Sequence, residues 1–341
     1  MAVENLYKVL FFLQSAAFTL FIINSYRSPI SVHTPVERLR AQSHCERKPN
    51  ETREIFVTAR PTVSQTNEVV PMVFRGPLSN CSLADIKKRP GVVMLTTANL
   101  AFVDVVLNML ESVRRVGVCI NTTVIAEDRK AYDLLLKYAK SDPAVHVQLT
   151  NSGEMDVIEH PRRHRSQYYG IMNKRQSYML ALLEQGLEVL FSDSDTYWFR
   201  DPFPHFQGDF DMCLRGHTPT RIIKKTDFCA GFIYLKPTNA TIQFVRGWVG
   251  VLDSNKKKGS YTADQSVMNG LLKADKPVHV NIKMLEENLF PWGPTFFDSK
   301  WQKENHPTVV MHAASIRGHP AKLSKFKAFG MWHVNEKALM L

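Results

Sequence analysis

The pair Asp193 and Asp195 is the strongest chemical signal in this sequence of 341 residues. Both carboxylates directly follow a short apolar run and are separated by one serine. In extended chain, side chains two positions apart point to the same side, so both carboxylates can reach one ligand. Carboxylate oxygens suit hard divalent cations such as Mn²⁺ and Mg²⁺, which bridge them to phosphate groups. An apolar strand that runs into two charges calls for a cation or dense hydrogen bonding to compensate the partly buried charge, and the pattern favours a metal site.

Alternating strand and helix patterns surround the acidic pair. The periodicity predicts strands at 92–97, 123–126, 145–149, 188–192, 211–214, 231–235 and 308–312. It predicts helices at 102–116, 131–139, 168–184, 241–251 and 264–272. This alternation indicates an α/β domain in which Asp193 lies at the carboxyl end of a buried strand, where ligands of such sheets bind.

The amino-terminal part of the chain has a different composition. Residues 6–23 form an almost continuous apolar run, which as a helix is about 27 Å long and long enough for a thin bilayer. We predict a cytoplasmic tail at 1–5, a transmembrane signal anchor at 6–23, a Pro-, Thr- and Ser-rich stem at 24–90 and a folded domain at 91–341. A cleaved signal peptide is the alternative, although the run lacks a clear small-x-small cleavage site.

Sequons and cysteines indicate the compartment. Four glycosylation sequons follow the apolar run, at Asn50, Asn80, Asn121 and Asn239, and together they favour a lumenal domain. None of the five cysteines shows the Cys-x-x-Cys spacing of zinc or thioredoxin-type sites. In an oxidising lumen one or two disulfides are expected, and the sequence leaves their pairing open.

The net charge of +11 suits nucleic acid, an anionic membrane or phosphorylated small molecules. The most basic stretch, residues 162–165, lacks the interleaved aromatic residues that single-strand binders use for stacking. We therefore expect no nucleic-acid partner, and we interpret this stretch as a solvated loop.

The segment Ser192–Phe203 reads Ser-Asp-Ser-Asp-Thr-Tyr-Trp-Phe-Arg-Asp-Pro-Phe. It resembles the signature of the nucleotide-diphospho-sugar transferase family, whose members include plant rhamnogalacturonan xylosyltransferases and extensin arabinosyltransferases. The resemblance covers 92–332, and the other matching pieces are Thr96–Asn99, Asn173–Lys174, Ala230–Phe232, Asp264–Gln265, Leu289–Pro291 with Gly293, and His312 with Gly318 and Lys322. It implies a GT-A-like single Rossmann-type domain with a mixed central sheet flanked by helices, preceded by the transmembrane helix and stem.

The resemblance also implies a role for each matching residue. The metal, Mn²⁺ or Mg²⁺, would be held by Asp193, Asp195 and His312. The nucleotide-sugar donor would contact Thr96, Thr97, Asn99, Asp193, Gly231, Gly318 and Lys322. The catalytic residues would be Asp264, Gln265 and Lys174.

Several of these residues also have ordinary interpretations. Lys174 and Arg175 fit surface charges in a helix, and the family position favours Lys174 for the donor pocket. Trp198 and Trp292 are candidates to stack on a sugar ring, although tryptophan is more often a core residue. After His312 the family usually has asparagines, whereas here Ala313 and Ala314 follow.

The activity implied is a metal-dependent transfer of sugar from UDP-xylose or UDP-galactose to a glycan or glycoprotein hydroxyl, with retention of anomeric configuration. The expected location is the Golgi or ER membrane, as a single-pass type II protein. A haloacid-dehalogenase-type phosphatase is one rival, because its Asp-x-Asp-x-Thr string fits residues 193–196 with Asp193 as nucleophile. That string normally opens its domain, whereas several elements precede it here. A non-catalytic, membrane-tethered sugar-binding protein is the second rival.

Overall fold

The computed structural model describes residues 81–150, 165–216, 226–274 and 278–334. The predicted anchor, most of the predicted stem, residues 162–164 of the basic stretch and the sequons at Asn50 and Asn80 lie outside these ranges. In the part of the chain that is described, no helix has both the length and the apolar composition needed to cross a bilayer.

Strands and helices alternate along the described chain. The strands are β1 (Val92–Ala98), β2 (Asn121–Ala126), β3 (Val145–Leu149), β4 (Glu188–Ser192), β5 (Thr196–Trp198), β6 (Met212–Gly216), β7 (Phe228–Leu235), β8 (Ile282–Leu285) and β9 (Val310–His312). The helices are α1 (Leu83–Ile86), α2 (Val103–Val116), α3 (Arg129–Ala139), α4 (Arg165–Met172), α5 (Arg175–Leu183), α6 (Asn239–Lys257), α7 (Asp264–Lys273), α8 (Gly293–Phe296), α9 (Ser299–Lys303) and α10 (His319–Ala328).

Seven of the strands form one mixed sheet in the order β3-β2-β1-β4-β7-β6-β8. All neighbouring pairs are parallel except those of β7, which is antiparallel to both β4 and β6. Strands β5 and β9 form a separate antiparallel pair. The predicted α/β class with a mixed central sheet flanked by helices is confirmed.

The strands at the centre of the main sheet are buried on both faces. Met94 of β1 and Leu190 of β4 belong to a hydrophobic core that includes residues of α2 and α3. Their neighbours Val93 and Val189 point to the opposite face and are also buried, where α5 contacts β4 and α7 contacts β7. Burial on both faces explains why these strands are continuous apolar runs, a pattern typical of parallel strands.

The predicted helix at 168–184 is wrong in one respect, because the structure divides it into α4 and α5. The break lies at Asn173 and Lys174. The Nε of Arg175 donates to the carbonyl oxygen of Met172 at 3.1 Å, and the side-chain amide of Asn173 donates to the carbonyl oxygen of Thr262 at 3.1 Å. These side-chain bonds compete with the helical backbone pattern at the junction.

Six elements were not predicted, namely β5, β8, α1, α8, α9 and α10. Strand β5 has three residues, and its antiparallel partner β9 is far away in the sequence. Strand β8 is only partly buried and pairs with β6 alone, so its apolar periodicity is weak. Helix α10 carries three lysines and a single buried residue, Phe326, which leaves no apolar stripe to detect.

A disulfide joins Cys81 to Cys119. Residues 81–90, which the sequence analysis includes in the stem, contain α1 and are thereby tied to the start of β2. Arg89 adds an ion pair with Asp201 at 2.6 Å. Among the described cysteines, Cys213 and Cys229 are buried thiols.

The disulfide predicts a measurable loss of stability on reduction. The cross-linked residues are 38 positions apart, and closing a loop of this size stabilises the folded state by about 4 kcal/mol in the chain-entropy model. We expect the unfolding midpoint in guanidinium chloride to fall by a corresponding amount when a reductant is added. The double variant Cys81→Ser, Cys119→Ser is the control and should be insensitive to reductant. Equal midpoints for the wild type with and without reductant would contradict the prediction.

Candidate metal and donor site

The turn between β4 and β5 brings Asp193 and Asp195 next to His312. Strand β5 pairs with β9 so that Thr196 lies opposite His312, and the backbone N–H of Ala313 donates to the carbonyl oxygen of Asp195 at 3.0 Å. The His312 Nε2 atom is 3.1 Å from Asp195 Oδ1 and 3.5 Å from Asp193 Oδ2. The two-strand ladder therefore carries a distant histidine to the acidic pair.

These three residues fit a divalent cation. One ligand atom from each of Asp193, Asp195 and His312 lies within 4.8 Å of the other two. Two carboxylate oxygens and one imidazole nitrogen suit Mn²⁺, which accepts both oxygen and nitrogen donors. The donor set leaves further positions for phosphate oxygens, as an open site requires.

The ammonium group of Lys322 lies beside the same cluster. Its Nζ atom donates to Asp195 Oδ2 at 2.6 Å and to the carbonyl oxygen of Ala313 at 2.8 Å. Burial alone would raise the pKa of Asp195, but Lys322 and His312 outweigh it and hold that pKa well below its usual range. Burial opposes a charge on His312, and the carboxylate of Asp195 nevertheless raises the pKa of this histidine well above its ordinary value. The carboxylates of this cluster therefore strongly stabilise positively charged groups placed beside them.

Gly231 allows β7 to pack directly against Asp193 and His312. The backbone N–H of Asp193 donates to the carbonyl oxygen of Gly231 at 2.7 Å. A Cβ atom at this position would overlap both the carboxylate of Asp193 and the ring of His312. Gly231 was predicted to contact the donor, and the structure places it directly against the proposed metal ligands.

Cys229 orients the imidazole of His312. Its Sγ atom is 3.4 Å from His312 Nδ1, on the side of the ring opposite to the two carboxylates. A partner on one ring nitrogen fixes the direction of the other, as is usual for metal-binding histidines. The backbone N–H of Gly231 donates to the same sulfur at 3.5 Å. Cys229 was not predicted as a site residue, because the contact joins residues 83 positions apart.

Arg175 is the cation that links the metal site to the predicted catalytic residues. Its side chain is only 3% exposed, and its guanidinium pairs with both Asp193 and Asp264. Burial alone would lower the pKa of Arg175, but the two carboxylates outweigh burial and raise it. The guanidinium also lies over the ring of Phe191, 5.0 Å from its centre. The interpretation of Arg175 as a surface charge is therefore wrong.

Asp264 is held by bonds to both of its oxygens. Besides Arg175, the side-chain amide of Gln176 donates to Oδ2 at 2.8 Å, and the backbone N–H of Gln265 donates to Oδ1 at 2.8 Å. The side-chain oxygen of Gln265 accepts from the backbone N–H of Ala230 at 3.1 Å, next to Gly231. The predicted pair Asp264 and Gln265 thus lies at the same edge of the sheet as the acidic turn.

The remaining predicted residues line the surroundings of the cluster. Since Leu95 lies opposite Phe191 in the parallel ladder of β1 and β4, Thr96 and Thr97 are level with the acidic turn. Asn99 begins the short 3₁₀ turn that follows β1. Lys174 lies at the start of α5, where burial lowers its pKa, and the ion pairs with Asp193 and Asp264 are made by Arg175 instead.

Gly318 immediately precedes α10, the helix that carries Lys322 to Asp195. The next residue, His319, contacts both carboxylate oxygens of Asp104 at 2.8 Å, and this pair fixes the start of α10 against the first turn of α2. Sequence patterns gave no signal for this pair, since the two residues are 215 positions apart.

Only the structure shows how the aromatic residues Trp198 and Tyr168 are placed relative to the site. Trp198 is fully buried and belongs to the core, so its ring is not accessible to a sugar. Tyr168 was not predicted as a site residue, yet it lies within electrostatic range of Arg175, Asp193 and Asp264. Burial raises the pKa of Tyr168 to about 12, so its hydroxyl stays neutral at physiological pH.

The family model and the curated relatives of this chain name one enzyme class. A family model described as "Nucleotide-diphospho-sugar transferase" matches residues 118–326. A UDP-galactose:fucoside alpha-3-galactosyltransferase of Dictyostelium discoideum is 24% identical over 74% of this chain, which spans only 44% of that relative's length. A UDP-D-xylose:L-fucose alpha-1,3-D-xylosyltransferase of Arabidopsis thaliana is 28% identical over 73% of this chain and 71% of its own. The solved galactosyltransferase LgtC, in complex with donor and acceptor sugar analogues, has 13% identity and a TM-score of 0.47, covering 72% of this chain and 98% of that chain.

The packing of Gly231 yields a test of the cluster. We expect Gly231→Ala to weaken Mn²⁺ binding by at least about tenfold, because the added methyl group displaces Asp193 and His312. Titration calorimetry with MnCl₂ measures the change. Gly250→Ala is the matched control, since Gly250 is exposed in α6 with no atom within 4 Å of an added Cβ. Equal Mn²⁺ affinity of Gly231→Ala and the wild type would show that the cation does not bind at this cluster.

Proposed function

The chain belongs to the nucleotide-diphospho-sugar transferase family, and from this premise we propose that it transfers a pentose or hexose from a UDP-linked donor to a hydroxyl group of a glycan or glycoprotein. The observation that carries the proposal is the convergence of Asp193, Asp195 and His312 beside Lys322. This arrangement is suited to a cation and a diphosphate, because it combines metal ligands with a second positive charge at one sheet edge.

The names of the relatives support particular substrates. One relative is named for UDP-galactose and a fucoside, and another for UDP-D-xylose and L-fucose. We therefore infer that the donor is UDP-xylose or UDP-galactose and that the acceptor carries fucose. The choice between pentose and hexose depends on small differences in pocket shape, which are worth a modest factor in specificity.

The residues of this chain would act on the two halves of the donor. A bound divalent cation would neutralise part of the charge on the leaving diphosphate. Lys322 can donate to a phosphate oxygen as a second positive charge. On the sugar side, Asp264 is a fixed hydrogen-bond acceptor, because Arg175, Gln176 and the Gln265 backbone prevent its rotation.

The proposed reaction is a one-step substitution in which the acceptor attacks the face of the sugar from which the diphosphate leaves. The anomeric configuration is therefore retained. The acceptor oxygen bonds to the anomeric carbon as the bond from that carbon to the diphosphate oxygen breaks. The acceptor proton passes to the leaving phosphate oxygen, which stays on the same face of the sugar. The carboxylates of Asp193 and Asp264 are both paired with Arg175, which reduces their nucleophilicity and argues against a covalent intermediate on either. The same pairing argues against a phosphatase that uses Asp193 as nucleophile.

We also propose that the protein is a single-pass type II protein of the Golgi or ER membrane, with a transmembrane helix at 6–23 and a stem that leads to a lumenal domain. The support is the apolar run and the sequons that follow it. Two sequons lie in the described chain, and they differ in exposure. Asn239 is exposed at the first residue of α6, whereas Asn121 begins β2 and its side-chain oxygen is buried.

Turnover of nucleotide sugars tests the proposed activity. We expect Mn²⁺-dependent hydrolysis or transfer with UDP-xylose or UDP-galactose, and a loss of at least about a hundredfold in kcat/KM for Asp195→Asn. Asp253→Asn is the matched control, because Asp253 is exposed on α6 and away from the cluster. Product formation is followed by release of UDP, and NMR of the anomeric proton reports retention.

The rivals give different results in the same assay. Binding of a UDP-sugar without any release of UDP would support the sugar-binding protein and refute the enzyme. Release of inorganic phosphate from a phosphomonoester, lost in Asp193→Asn, would support the phosphatase. Turnover that is unchanged by EDTA would refute the role proposed for the metal.

The difference between the two described sequons tests the location. When the full chain is expressed in a eukaryotic cell, Asn239→Gln should remove one glycan and shift the mobility of the protein on a gel. Asn121→Gln should leave the mobility unchanged, because a glycan at this half-buried strand position is incompatible with the fold. A protein that is insensitive to endoglycosidase digestion would contradict the lumenal location.

A further inference from the structure

A second cluster of functional side chains lies beside the metal site, next to His312. It consists of Arg215 at the end of β6, Glu287 after β8 and Trp292 before α8, and we call it the Trp292 cluster. Strands β4, β6 and β8 run in the same direction, so these residues lie at the same edge of the sheet as Asp193. The proposed transfer reaction involves none of these three residues.

The backbone connects this cluster directly to the metal site. Trp292 forms an isolated parallel bridge with His312, whose backbone N–H donates to the carbonyl oxygen of Pro291 at 3.1 Å. Residues paired across a parallel ladder direct their side chains to the same face. The imidazole of His312 points at Asp195. The side chain of Trp292 therefore leaves the backbone next to His312 and on the same face.

Arg215 lies beneath the indole. Its side chain is 5% exposed, and its guanidinium carbon is 5.6 Å from the centre of the Trp292 ring. The pairing of β6 with β7 shifts register between Leu214 and Gly216, which brackets Arg215. Such irregularities re-aim a side chain and are frequent next to active sites. Cys229, which contacts His312, lies within electrostatic range of Arg215 and so places the guanidinium near the metal site.

Glu287 presents a carboxylate to solvent at the same place. Its Oε1 atom accepts from Arg215 Nη2 at 2.8 Å and from the hydroxyl of Thr295 at 3.3 Å. Its Oε2 atom accepts no hydrogen bond from any residue that the structure describes. The side chain is 47% exposed although its partner is buried. The ion pair therefore fixes one carboxylate oxygen and leaves the other directed outward.

A purely structural role for this ion pair explains part of the arrangement, because it ties the end of β6 to the chain after β8. It does not account for the partly exposed indole that covers the guanidinium. A partly exposed aromatic face beside an oriented, charged acceptor is the combination that binds a sugar ring. The C–H groups of the sugar lie on the aromatic face, and its hydroxyl groups donate to the carboxylate.

We propose that Arg215, Glu287 and Trp292 form the acceptor subsite, and that its occupant is a neutral saccharide whose ring stacks on Trp292 while a hydroxyl donates to Glu287 Oε2. The inference rests on the proposed function, because it assigns the acceptor to a surface next to the proposed metal site. A neutral sugar fits better than an anionic one, since the outward oxygen of Glu287 is itself negatively charged.

The test separates acceptor binding from donor binding. The probes are methyl α-L-fucoside and methyl β-D-galactoside, with binding followed by saturation-transfer NMR in the presence of UDP and Mn²⁺. We expect Trp292→Ala to weaken binding of the favoured probe by about tenfold, corresponding to a loss of about 1.4 kcal/mol. The affinity for UDP, measured by calorimetry, should change by less than about twofold. Trp292→Phe should restore part of the affinity for the probe, and Glu287→Gln should lower it severalfold.

Trp301→Ala is the matched control, since Trp301 is also partly exposed but stacks on His306 in the segment around α9. It should bind UDP and the probe as the wild type does. Equal probe affinity of Trp292→Ala and the wild type would overturn the subsite, as would the failure of both probes to bind the wild type. Equal losses of UDP and probe affinity in Trp292→Ala would also overturn it, because they would indicate a general structural role. If the wild type bound a probe through Trp292 but turned over no nucleotide sugar, the proposed function would fail while the saccharide subsite would stand.

Discussion

The buried guanidinium of Arg175 is the interaction on which the rest of the site depends. It compensates the charges of Asp193 and Asp264 at a place where neither carboxylate is fully solvated. Without this cation the carboxylates at the ends of β4 and α7 would repel each other and separate. Further contacts hold the guanidinium in position, because Phe191 lies under it and the Met172 carbonyl accepts its Nε–H. One side chain therefore joins the acidic turn to the residues proposed to contact the sugar.

The reversed direction of β7 gives the site its second wall. In a wholly parallel sheet the strand beside β4 would present its own carboxyl end to the crevice. Because β7 is antiparallel to β4, its amino-terminal half lies there instead and delivers Cys229 and Gly231 to His312. The short β5–β9 ladder completes the arrangement, since it delivers His312 from more than a hundred positions further along the chain. The proposed metal ligands thus come from two separate sheets.

Arg175 and Lys322 compensate the charge of the acidic turn in different ways. Arg175 is deeply buried and bound on several sides, so it has the features of a permanent structural cation. Lys322 is attached to Asp195 and to one carbonyl oxygen only, at the side of the cluster that α10 forms. A divalent cation at the three ligands would compete with Lys322 for Asp195, and the freed ammonium group would then be available to a phosphate. This division explains how one cluster can be stable without a ligand and still accept an anionic donor.

The sequence by itself predicted the α/β class, most of the strands, the acidic pair at the end of β4, the assignment of His312 to the metal site and that of Lys322 to the donor diphosphate. The first three follow from local periodicity, and the last two followed from a family pattern rather than from spacing. Only the tertiary structure decided that Arg175 and not Lys174 pairs with the acidic residues, and that Cys81 pairs with Cys119. It also decided that Cys229 orients His312 and that Arg215 and Glu287 lie beside Trp292. The physical reason is the same in each case, because these contacts join residues between 18 and 89 positions apart, and local propensity carries no information on side chains that meet only after the chain has folded.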